Sequence, residues 1–84
     1  MPDCDKLLER ARRSPSSLRF EEVCNLAECY GFGLDRQASS HRIYKRPGWP
    51  QLMNFQNRNG KAKAYQVRQL LAAIDEIISG EDPV

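Results

Sequence analysis

Val67, Leu70, Leu71, Ile74, Ile77 and Ile78 recur at helical spacing. They make a broad apolar face on a helix predicted over residues 64–79. A face that wide must be covered by other parts of the chain. With 84 residues, the cover comes from a few elements packed in two layers around one modest core. There is no room for a separate cofactor domain, and no cofactor is expected.

The preceding segments supply that cover. Asp3 is placed to cap a short helix over residues 3–13, on which Leu7, Leu8 and Ala11 form a narrow apolar stripe. Ser14-Pro15-Ser16-Ser17 breaks the chain. Phe20, Val23, Cys24, Ala27 and Tyr30 share one face of a second helix over residues 20–30, and Gly31 suits its left-handed cap position. Three short strands follow, over residues 32–37, 41–46 and 51–56. In the first, Phe32 and Leu34 fall on one side; in the third, Met53 and Phe55 oppose Leu52, Asn54 and Gln56. Pro47-Gly48-Trp49-Pro50 and Asn57-Arg58-Asn59-Gly60 read as turns. The order α-α-β-β-β-α predicts an α+β fold, a three-stranded antiparallel sheet with helices on one face and the other face open. We expect a single domain over residues 1–84, with an N-terminal helix and linker (1–18), a core (19–79) and a frayed tail at Glu81-Asp82-Pro83-Val84.

Charge is distributed unevenly. No acid lies between Arg36 and Ile74, a stretch holding Arg36, Arg42, Lys45, Arg46, Arg58, Lys61, Lys63 and Arg68, while the whole chain carries a formal +2. A basic middle between acidic ends suits a polyanion, and equally the solvated basic surface of a protein that binds something else. No apolar run approaches the roughly 18 residues of a membrane span, and the opening MPDCDKLLERARR has no signal-peptide core. An intracellular, cytoplasmic protein without membrane attachment is the expectation. Cys4, Cys24 and Cys29 are then expected as reduced thiols. Cys24 and Cys29 lie about 140° apart around a helix, which argues against a shared metal site, and no metal is expected.

The single histidine stands in ASSHRIYKR, residues 38–46. On the residues alone it is a structural strand residue or a general acid/base, since an unperturbed imidazole titrates near 6.5. Ser39-Ser40-His41-Arg42-Ile43-Tyr44 resembles the signature Gly-Ser-His-x-x-aromatic of the HicA-like toxins of bacterial toxin–antitoxin systems. The resemblance runs from about Phe20 to Ile78 and includes NRNGKAKAYQVRQLL, similar to the loop-to-helix junction of some members. It implies a double-stranded-RNA-binding-domain-like fold, messenger-RNA cleavage through His41, and neutralisation by a HicB-type antitoxin. Two departures stand out. Ser39 replaces the signature glycine, and the Pro-x-His that many members carry in the third strand is absent, with Phe55-Gln56-Asn57 near that place.

RNA brings its own nucleophile, the 2′-hydroxyl, so a histidine and cations suffice for cleavage without metal. Candidate RNA contacts are Ser40, Arg42, Lys45 and Arg46 beside His41, Tyr44 as a stacking ring, and Arg58, Lys61 and Lys63 before the last helix. Trp49 is a base platform, a partner anchor or a residue folded over the sheet. Strand parity adds an expectation. With Ile43 turned into the core, His41 points to the helix side, and Arg42, Tyr44 and Arg46 decorate the open face. Three functions compete: a ribonuclease toxin, a non-catalytic RNA-binding module, and a protein-interaction domain with an acidic partner.

Overall fold

The computed structural model describes residues 3–80. The expected tail 81–84 lies outside the described residues. Helices α1 (Cys4–Arg13) and α2 (Phe20–Cys29) precede strands β1 (Gly33–Ala38), β2 (His41–Lys45) and β3 (Met53–Gln56), and helix α3 (Ala64–Gly80) closes the fold. A single 3₁₀ turn, Pro15–Ser17, separates the first two helices. The sheet is antiparallel in the order β1-β2-β3, which makes the protein the α+β fold expected. Among the described residues, no helix is long and apolar enough to cross a membrane.

The core forms where the apolar stripes converge. Val67, Leu70, Ala73, Ile74 and Ile77 of α3 meet Phe20, Val23, Cys24, Leu26 and Ala27 of α2. Tyr44, Met53 and Phe55 come up from the sheet, and Leu7 and Ala11 of α1 close the far side. Gln66 is the one buried polar residue among those described. Its Oε1 accepts the Gln56 backbone N–H at 2.9 Å, satisfying an edge-strand donor that β2 does not reach. Leu34 departs from the expected pattern. Phe32 is buried, yet Leu34 is 52% exposed, because a bulge between Leu34 and Arg36 turns this edge strand away from the helices.

Asp3 caps α1 as expected, accepting from the Lys6 N–H at 3.2 Å. The cap of α2 is built differently. Glu22, in its first turn, accepts the Arg19 N–H at 2.9 Å and takes two hydrogen bonds from Arg10 of α1, at 2.6 and 3.1 Å. One carboxylate thus finishes α2 and holds α1 against it. Arg10 and the Arg19 N–H favour the ionised form and hold the Glu22 carboxyl below its ordinary 4.5. The stabilisation is therefore complete above about pH 4.5 and is lost as pH falls through the lowered folded value. Glu22→Gln is expected to lower stability at pH 7 by about 1 kcal/mol, the usual value of a cap, and to close that gap in acid. Urea denaturation of both proteins between pH 3 and 7 measures it.

The cysteines correct an expectation. Cys4, in the first turn of α1, and Cys29, at the end of α2, form a disulfide with Cα atoms 6.0 Å apart. Only Cys24 is a free thiol among the described residues, and it is buried. The pairing is non-local: packing α1 along α2 brings the two ends together.

Candidate functional site

The geometry around His41 begins at the β1–β2 turn. Ala38 pairs with His41, leaving Ser39 and Ser40 as a two-residue connection. Ser39 has φ of 54°, in the left-handed region. Two-residue hairpin turns need a positive φ at their first central position and favour glycine there. Ser39 occupies that place with a side chain that glycine would spare. Ser39→Gly is therefore expected to stabilise the fold by about 0.5–1 kcal/mol, read as a higher urea midpoint.

β2 is oriented opposite to the parity expectation. Tyr44 is 2% exposed. Its ring lies 5.7 Å from that of Phe55, and its hydroxyl donates to Glu28 at 3.3 Å. Arg42 is also on the helix side. Its Nη1 donates to both Glu21 oxygens, at 3.0 and 2.7 Å, and its guanidinium lies 4.9 Å from the centre of the Phe20 ring. His41, Ile43 and Lys45 consequently face the open side. The correction has a physical reason. Tyr44 offers more apolar area than Ile43, and both Tyr44 and Arg42 find acidic partners on α2 for their polar ends.

The same packing moves protonation equilibria. Hydrogen bonding to Glu21 raises the Arg42 pKa above its already high ordinary value. Burial, reinforced by the Cys24 contact, pushes the Tyr44 phenol well above its ordinary 10. Tyr44 is thus a neutral core residue, and its ring has no face free for a base.

On the open face, Lys45 Nζ reaches Asp35 at 3.1 Å, and Arg36 Nε lies 3.5 Å from the same carboxylate. Lys45 foremost, then Arg36, lowers the Asp35 pKa. Arg46 Nε donates to the Tyr30 carbonyl at 2.7 Å, beside Gly31 at φ 91°, where a Cβ would approach it to 3.0 Å. Arg42, Lys45 and Arg46, expected as RNA contacts, are therefore committed to partners within the fold.

Two different segments meet at His41. Across the sheet it pairs with Gln56. Its Nδ1 lies 3.1 Å from Oδ1 of Asn54, diagonally placed on the same face. The Asn57 N–H donates to the Ser40 carbonyl at 2.8 Å, joining the loop after β3 to the Ser39-Ser40 turn. That loop is firmly built. Asn57 Oδ1 accepts the Gly60 N–H at 2.8 Å, Asn59 and Gly60 take positive φ, and the Phe20 N–H donates to the Gly60 carbonyl at 2.9 Å. Arg58 and Lys61 bond each other's backbones across the loop, at 2.8 and 3.1 Å. Both side chains are exposed, and neither makes an ion pair among the described residues. Lys63 stands 5.9 Å from the Tyr65 ring centre.

The site brought together is His41, Ser40, Asn54 and Gln56 with the Arg58–Lys61 loop. Ser40, His41, Arg58 and Lys61 are among the candidates singled out in the sequence. Asn54 and Asn57 were not singled out, although Asn54 follows from parity once Met53 and Phe55 face the core. Trp49 lies at the opposite end of β3. It is half-buried against the core and lines a groove of about 550 Å³ with Leu52, Met53 and Ala73. Comparison with known proteins finds no matching family model, no matching curated protein and no matching solved structure.

Proposed function

We propose that this protein is a HicA-like, metal-independent endoribonuclease with the double-stranded-RNA-binding-domain-like fold, the toxin half of a type II toxin–antitoxin pair. One observation carries the reading. His41 lies on the open face at the start of β2, directly after the turn in which Ser39, standing where the resembled signature has glycine, takes the left-handed conformation. In this reading His41 removes the proton from an RNA 2′-hydroxyl. The 2′-oxygen bonds to phosphorus, the phosphorus–5′-oxygen bond breaks, and the leaving oxygen takes a proton from water. The products are a 2′,3′-cyclic phosphate and a 5′-hydroxyl.

Arg58 and Lys61, with Lys63 behind them, are the cations that hold the messenger-RNA backbone beside the imidazole. They replace Arg42, Lys45 and Arg46 in that role. A HicB-type antitoxin of acidic character covers this loop and His41 in the cytoplasm, where both partners act.

A second reading is a non-catalytic RNA-binding module. It is favoured by the pairing of Arg42 with Glu21 and of Lys45 with Asp35, which leaves fewer free cations next to His41. Incubating the purified protein with end-labelled RNA in EDTA separates the two. Cleavage leaving cyclic phosphate and 5′-hydroxyl ends supports the ribonuclease. Salt-sensitive binding with intact RNA supports the module.

A further inference from the structure

We infer that Asn54 is a positioning residue for His41, fixing the imidazole in its Nδ1–H tautomer and leaving Nε2 as its basic atom. The inference rests on the ribonuclease reading for its catalytic use. It rests on geometry for the tautomer.

An amide oxygen carries no proton. At 3.1 Å from Asn54 Oδ1, His41 Nδ1 must therefore be the donor, and in the neutral ring Nε2 is then the bare nitrogen. The register explains how the pair meets. Gln56 is directly opposite His41 and Asn54 is directly opposite Ile43, so Asn54 is the diagonal neighbour on the same face, within reach of a side chain this long. The Gln56 N–H goes to Gln66 rather than into the β2 ladder, so 41–56, and by alternation 43–54, are the closely spaced non-hydrogen-bonded pairs.

The chemical consequence is directional. Asn54 Oδ1 accepts a hydrogen bond but does not accept a proton at ordinary pH, so the proton gained during the reaction enters and leaves through Nε2. A carboxylate at this position would also stabilise the imidazolium by charge. The amide orients the ring without adding that charge.

The test combines a spectroscopic and a kinetic readout on the intact chain. Nitrogen NMR on histidine-labelled protein without RNA is expected to show neutral His41 protonated at Nδ1. In Asn54→Ala that preference should be lost, with the thermal midpoint little changed because Asn54 is exposed. On an RNA oligonucleotide, Asn54→Ala is expected to lower kcat by about 10–100-fold with little change in KM. Asn54→Asp should recover much of the rate and move the acid limb of the pH profile upward. A wild-type ring protonated at Nε2, or an Asn54→Ala variant with unchanged tautomer and kcat, overturns the inference. Absence of cleavage by the wild type overturns the ribonuclease reading and the catalytic use of the pair, while the NMR result still decides the tautomer by itself.

Discussion

His41→Ala is expected to reduce RNA cleavage by about 10²–10⁴-fold, the range that a positioned acid/base group contributes, while leaving RNA affinity within a few-fold of wild type. The two readouts separate because the groups are separate. In the proposed ribonuclease, phosphate affinity falls to Arg58 and Lys61, on a loop tied to Ser40 and to Phe20 through backbone hydrogen bonds. Neither tie involves the His41 side chain. The ring is half-buried on the open face, so its removal empties no core cavity, and the variant should melt close to wild type. Arg58→Ala with Lys61→Ala gives the reciprocal result, with weaker binding, a shallower salt dependence and an intact histidine. In a bacterium, expression of wild type is expected to arrest growth and His41→Ala to be tolerated. Equal arrest by both, or cleavage unaffected by the substitution, would place the chemistry elsewhere.

The helices were legible because their signal is redundant. Six apolar positions on α3 and five on α2 repeat the same period, and most of them are buried. β3 was legible for a similar reason, since Met53 and Phe55 are its large apolar residues. β2 was ambiguous. Ile43 and Tyr44 are adjacent, and each heads an alternating set that makes a plausible inner face. What decides between them is non-local. Arg42 pairs with Glu21 and Phe20, and Tyr44 with Glu28 and Phe55. The register with β3 then sets Tyr44 beside Met53 and Arg42 beside Phe55.

The charge pattern misled in the same way. A stretch free of acids along the chain is not free of them in space. Glu21 arrives from α2 and Asp35 from the β1 bulge, whereas Arg58 and Lys61 on the loop before α3 are exposed and make no ion pair among the described residues. The turn was the clearest local signal. The hairpin sets His41 at the first position of β2, while the packing of Arg42 and Tyr44 decides which face it takes.

The largest stability effect is expected from the Cys4–Cys29 bond. It closes a loop of 25 residues in sequence separation, for which restriction of the unfolded chain contributes about 3–4 kcal/mol. In a domain of this size that corresponds to a fall in Tm of well over 10 °C on reduction. Cys4→Ser should match reduced wild type and be indifferent to reductant. Thiol titration gives an independent check. Cys24 is buried behind Tyr44 and Arg42, and burial raises its pKa, so the native oxidised protein should react slowly or not at all. In denaturant it should yield one thiol, and after reduction three. Three thiols from unreduced, denatured protein would remove the staple from the account.

Activity should respond differently from stability. The disulfide sits at the Cys29 end of α2, whereas the His41 loop is tied to Phe20 at the other end, about 15 Å away along a ten-residue helix. α1 also retains Leu7 and Ala11 in the core and the Arg10–Glu22 and Arg12–Asp75 ion pairs. If the protein is the proposed ribonuclease, reduced protein held well below its Tm should therefore cut RNA at the oxidised rate. A cytoplasm, which keeps most thiols reduced, would thus cost this protein stability without disturbing the site. A cleavage rate that drops on reduction at low temperature would mean instead that α2 transmits the loss of its far anchor to the His41 loop.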